Sequence, residues 1–120
     1  MATLNQCSFI GRLGKDPEMN YTPSGKAVTK FSLAVDQGKH QDTLWLTIVC
    51  WNDLAERMNE YLSKGQLVFV QGRLVQRSYV DKNQVKRVAT EIVASTVQML
   101  EKGKKPMPES DEEQTEDTPF

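Results

Sequence analysis

The sequence predicts an all-β fold. Five strands close into a small barrel, one short helix lies between the third strand and a final long hairpin, and a disordered acidic tail follows. Three observations carry this. Apolar residues alternate with period two in the runs 5–13, 26–36, 43–51, 66–80 and 86–100. The period switches once, in 52–65, to that of a helix. After Leu100 the apolar pattern stops, and the last twenty residues carry three prolines and many charges. Residues 1–100 are therefore read as one domain, and 101–120 as linker and tail.

Each element has its own local signal. "NQCSFIGRL" alternates, and Gly11 within it predicts a bend or bulge. "GKDPEMNYTPSGK" is dense in turn formers and reads as a loop. In "KAVTKFSLAVD", Ala27, Thr29, Phe31, Leu33 and Val35 face one way, and Val28, Lys30, Ser32 and Ala34 the other. "QGKHQD" breaks that run. "TLWLTIVCW" is rich in β-branched and aromatic residues, which favour strands. In "NDLAERMNEYLSKG", Leu54, Met58 and Leu62 form one apolar stripe, Asp53 and Glu56 have capping-box spacing, and Gly65 stands where a C-terminal cap belongs. "QLVFVQGRLVQRSYV" and "KRVATEIVASTVQML" flank the turn "DKNQ" as a long hairpin. A lone helix ahead of a terminal hairpin is the layout of an OB barrel; a small β-sandwich leaves that helix unexplained.

The net charge of −1 conceals a division. Residues 106–120 hold Glu109, Asp111, Glu112, Glu113, Glu116 and Asp117 with no base, so residues 1–105 carry +5. A basic body on an acidic tether points to a polyanion for the body and a separate task for the tail. The N-terminus lacks a charged leader followed by an apolar run, which predicts no signal peptide, and no apolar stretch is long enough for a membrane span. Cys7 and Cys50 lie inside strand-like runs without CxxC spacing and read as small apolar residues in a reducing compartment.

Alternation also exposes a candidate binding face. Trp45, Thr47, Val49 and Trp51 share one side of their strand, and Arg73, Arg77 and Tyr79 share one side of theirs. Guanidinium groups meet phosphates and aromatic rings stack on bases, so such a face suits a flexible nucleic acid. Lys82, Lys86 and Arg87 extend the positive charge to the hairpin tip. The pattern alone fits a core role for Trp45 and Trp51 as well as a stacking role, and it fits Arg73 and Arg77 as solvated charges equally well. Catalysis and metal binding find no support. His40 is the single histidine, no ligand cluster accompanies it, and "NYTPSGK" lacks the GxxxxGK[ST] pattern of a phosphate loop. No metal and no cofactor are predicted.

The segments "GRLGKDPEMNYTPSGKAVTKFSLAV", "DLAERMNEYLSKGQLVFVQGRL", "QRSYVDKN" and "TEIVASTVQML", with an acidic end closing in "PF", resemble the bacterial single-stranded DNA-binding protein family. The resemblance covers residues 4 to 100 and the terminus. It implies a homotetramer of OB folds in the cytoplasm, associated with the nucleoid, that wraps single-stranded DNA. It also implies an acidic tip that recruits replication, recombination and repair proteins. By position it implies stacking roles for Trp45, Trp51 and Tyr79, backbone contacts for Lys64, Arg77 and Arg87, and subunit contacts for Leu46 and for 7–9. Glu116, Asp117, Thr118, Pro119 and Phe120 fall in the partner-binding tip.

This sequence departs from the family in places. "DQGKHQ" has no tryptophan where other members carry one, Asp53 replaces a lysine found in some, and Thr118 stands where a larger aliphatic is common. The short linker is similar to that of cyanobacterial or plastid-type relatives. A primosomal or RNA-binding OB protein is the nearest alternative. A nuclease subunit lacks its carboxylates, and a pure adaptor leaves the arginine-and-aromatic face idle.

Overall fold

The computed structural model describes residues 2–101. The tip residues Glu116 to Phe120 and nearly all of the expected tail lie outside them. Six strands and one helix follow in order: β1 (Cys7–Leu13), β2 (Glu18–Tyr21), β3 (Ala27–Val35), β4 (Leu44–Trp51), α1 (Asn52–Tyr61), β5 (Leu67–Val80) and β6 (Lys86–Met99). Five strands close in the ring β1–β5–β6–β4–β3, with β3 returning to β1 through Arg12↔Ala34 and Leu13↔Leu33. This is the expected OB barrel. The β4–β6 seam is parallel and the other pairings are antiparallel.

β2 is a correction. It lies within the segment expected to be loop and pairs with β3 from Glu18↔Lys30 to Tyr21↔Ala27. A four-residue edge strand between turn-forming residues leaves too short an alternation to stand out in sequence. The glycine expectation divides. Gly11 lies where β1 crosses β3, and a Cβ there would run into the Ala34 carbonyl oxygen. The irregularity in register lies instead between β5 and β6, where Gln71 pairs with Thr96 and Gly72 with Ala94; the extra residue is Ser95 of β6, whose hydroxyl donates to the Gln71 carbonyl at 3.1 Å.

The core is built from inward positions of the ring and from α1, which closes one end. Leu33, Ile48, Val68, Val70 and Ile92 are buried with Ala55, Met58 and Leu62 of the helix region. Ala55 thus takes the first buried place on the helical stripe, and Leu54 is only half-buried. The Thr29 hydroxyl donates to the Ala55 carbonyl at 2.6 Å, tying the helix to β3 without leaving a polar group unmet.

The expected helix caps are also corrected. Trp51 is the N-cap and makes no side-chain cap bond, while Asp53 lies inside the first turn. Asn52 enters the helix at φ 57°, a left-handed conformation that asparagine tolerates better than most residues. The helix ends before Leu62, in extended conformation. Gly65, at φ 86°, serves the later turn into β5 instead.

Gln66 is buried where three elements meet. Its side-chain amide donates to the Glu101 carbonyl at 2.9 Å, and its side-chain oxygen accepts the Ser63 N–H at 3.2 Å. Arg12 holds the Glu101 carboxylate at 2.8 and 3.3 Å. The barrel therefore extends through Glu101. Both cysteines are free thiols. Cys50 is buried and burial pushes its thiol up to about 12, whereas Cys7 is only half-buried. Among the described residues no helix is long and apolar enough to cross a membrane, and no cluster of three or more His, Cys, Asp or Glu is placed to hold a metal.

Candidate nucleic-acid interface

Strand register assembles one continuous outer face. Ala34↔Trp45, Ser32↔Thr47, Lys30↔Val49 and Val28↔Trp51 join β3 to β4. Thr47↔Glu91 and Val49↔Val93 carry the face onto β6. Arg73↔Val93, Val75↔Glu91, Arg77↔Ala89 and Tyr79↔Arg87 carry it onto β5. Directly paired residues point to the same side of a sheet. Trp45, Trp51, Arg73, Arg77, Tyr79 and Arg87 therefore share a surface.

The aromatic rings on this face are accessible. Trp45 is 60% exposed, Tyr79 43% and Trp51 38%. None of the three is a core residue. The two tryptophans stand at opposite ends of β4, roughly 20 Å apart at ~3.3 Å per residue. Trp45 rests against Gly14, where the turn after β1 passes beneath it. Trp51 borders a shallow cleft with Thr22, Ser24 and Lys26 of the β2–β3 turn and with Asn52.

Between the tryptophans runs a diagonal of charge. Glu91 Oε2 lies 3.4 Å from Arg77 Nη2 and 3.8 Å from Lys30 Nζ. Lys30 reaches across β4 from β3. Val49, flanked on this face by its pairing partners Lys30 and Val93, is only 3% exposed although it points outward. The Arg77 guanidinium carbon stands 5.9 Å from the Tyr79 ring centroid, at the outer limit of a cation–π contact.

The hairpin bases separate. Arg87 lies on the aromatic side and donates from Nε to Asp81 at 2.9 Å. Asp81 also accepts the N–H groups of Val85 and Asn83, and the Val85 bond first, then the Arg87 bond, holds its carboxyl below the usual range. Lys86 pairs with Val80, so it lies on the opposite side of the ribbon, and Lys82 is in the turn. Lys64 follows the helix, exposed, with its backbone N–H on Asp16 at 2.8 Å, two residues beyond Gly14.

Sequence reasoning does not single out Lys30 or Glu91 as site residues. Alternation puts Lys30 on the outward side of its strand, but only the β3–β4 and β4–β6 registers, joined to the β5–β6 hairpin, show that it shares a face with Arg77.

The family model for the single-strand binding protein family matches residues 4–100. The chain belongs to that family. Similar curated proteins include single-stranded DNA-binding protein 3 of Clostridium acetobutylicum, 46% identical over 83% of this chain and 73% of that protein. The single-stranded DNA-binding protein of Clostridium tetani is 44% identical over 85% and 74%. That of Neisseria meningitidis serogroup A is 40% identical over 82% of this chain and 60% of its own length.

Proposed function

We propose that this chain binds single-stranded DNA without sequence preference and performs no catalysis. The observation that carries the reading is the accessible set Trp45, Trp51 and Tyr79, interleaved with Lys30, Arg73, Arg77 and Arg87 on one barrel face. Rings stack on any base, and cations meet a backbone common to all sequences. The family membership and the names of the relatives point the same way. The test is quenching of tryptophan fluorescence by oligo(dT) at two salt concentrations. Saturable quenching that weakens with salt, with little response to duplex, supports the reading. Preference for duplex ends it, and preference for RNA favours the primosomal or RNA-binding alternative.

The finer reading is a cytoplasmic, nucleoid-associated homotetramer serving replication, recombination and repair. β1 pairs with β5 over Cys7–Arg12 but meets β3 only at Arg12 and Leu13, so its second edge is open to a copy of itself. Light scattering that reports a monomer at micromolar concentration overturns the assembly. The tip Glu116–Phe120 recruits partner proteins through an aromatic anchor preceded by acids. Deleting those five residues removes co-purifying repair and replication proteins and leaves oligo(dT) affinity equal or slightly higher. Partners that remain bound refute this role of the tip.

A further inference from the structure

The Glu91 contacts differ in kind from the other ion pairs described here. The Arg12–Glu101 pair is two-pronged, with a 2.8 Å contact, and the Leu67 N–H also donates to that carboxylate. The Arg87–Asp81 pair is locked by two backbone N–H groups. Both are built as fasteners. Around Glu91, two cations from two strands share a single carboxylate oxygen at 3.4 and 3.8 Å, the second beyond hydrogen-bond reach. The carboxylate is sunk in the face, with its side chain 11% exposed, while the Lys30 and Arg77 side chains stand about half exposed above it.

We propose that Glu91 is a built-in competitor for the nucleic-acid backbone. It occupies Lys30 and Arg77 in the empty protein and gives them up to phosphates when a strand lies between Trp45 and Trp51. This rests on the single-stranded DNA reading of the face. Three charged groups then present +1 rather than +2 to an arriving strand. The contacts to be broken are long and the cations keep donors free on the solvent side, so a phosphate offers shorter, charge-assisted bonds in exchange. Glu91 cannot follow the cations outward, because its backbone is fixed in the β5–β6 and β4–β6 pairings. The consequence is moderated affinity at the centre of the face, which favours a protein that must release its strand.

The test is a binding cycle with oligo(dT) on the full chain. Glu91→Gln keeps the shape and removes the charge. It is expected to tighten binding roughly two- to fivefold at low salt, the scale of one exposed ion pair. It is also expected to steepen the slope of log affinity against log salt, because no vacated carboxylate is left to take up a cation as the strand binds. Lys30→Gln is expected to cost more when combined with Glu91→Gln than in the parent, because in that variant Lys30 has no internal partner to give up. Equal or weaker binding by Glu91→Gln, or a smaller cost of Lys30→Gln in the combined variant, overturns the proposal and makes Glu91 an orienting residue. A parent protein that fails to bind oligo(dT) refutes the underlying reading instead. In the unmodified chain the Glu91 carboxyl carbon resonance is expected to shift as oligo(dT) is added. A resonance that stays fixed while those of Lys30 and Arg77 move also overturns it.

Discussion

The Trp45 indole lies against Gly14 so closely that a Cβ on that glycine would stand 2.6 Å from Trp45 Cζ3 and 2.9 Å from the Ser32 hydroxyl. The Gly14 N–H donates to the Ser32 carbonyl at 3.0 Å, so the turn is tied to β3 while its α-carbon supports the ring. Gly14→Ala is expected to push the indole off its seat with little loss of stability, since an exposed ring has room to swing. Oligo(dT) affinity should fall several-fold and the tryptophan emission should change before DNA is added. Unchanged binding and emission would show that the ring is not held by this contact.

Trp45→Ala and Trp51→Ala are expected to weaken binding by an amount on the scale of ~1–3 kcal/mol, as for removal of a base–aromatic stack in single-strand binders. Melting temperature should change little for Trp45, the more exposed of the two. Trp51 also begins α1, so a modest loss of stability is expected there. A loss of ~3–5 kcal/mol of stability with unchanged binding per folded molecule would make the ring a structural rather than a stacking residue.

Arg77→Ala is expected to weaken binding alike for all base compositions. The dependence of log affinity on log salt should flatten by roughly 0.7 for each phosphate that Arg77 neutralises. An unchanged slope with altered base preference would place Arg77 against bases.

What can be read in the sequence divides along a physical line. Alternation puts Trp45 with Trp51, and Arg73 with Arg77 and Tyr79, because each set lies on one strand where period two fixes the side. Merging the two sets needs the pairing of β4 with β6, strands far apart in sequence, which sets Thr47 beside Glu91; the predicted hairpin then sets Glu91 beside Val75. For the same reason the Lys30–Glu91–Arg77 diagonal is invisible in sequence. Adjacency groups Lys86 with Arg87, although adjacent strand residues face opposite ways. β2 escapes because its partner β3 stabilises four residues that carry almost no pattern of their own.

Acid should loosen the barrel ends before its centre. Arg12 and the Leu67 N–H hold the Glu101 carboxyl below its usual range, with the Arg12 side-chain hydrogen bond the largest cause. Asp81 is lowered chiefly by the Val85 N–H and then by Arg87. A carboxyl whose folded pKa is depressed contributes stability that is fully present above its unfolded value. That contribution is lost as pH falls through the folded value, so the window lies below about pH 4. Glu101 joins the end of β6 to β1 and to the start of β5, and Asp81 closes the hairpin tip. Amide exchange at the Leu67 and Val85 N–H groups is therefore expected to lose protection in acid while Val68 and Val70 in the core remain protected. Glu101→Gln should remove the acid-dependent part at Leu67 and leave that at Val85 intact, and Asp81→Asn should do the reverse. Simultaneous loss of protection at all four positions in the parent protein would mean that global unfolding, not these two fasteners, sets the acid limit.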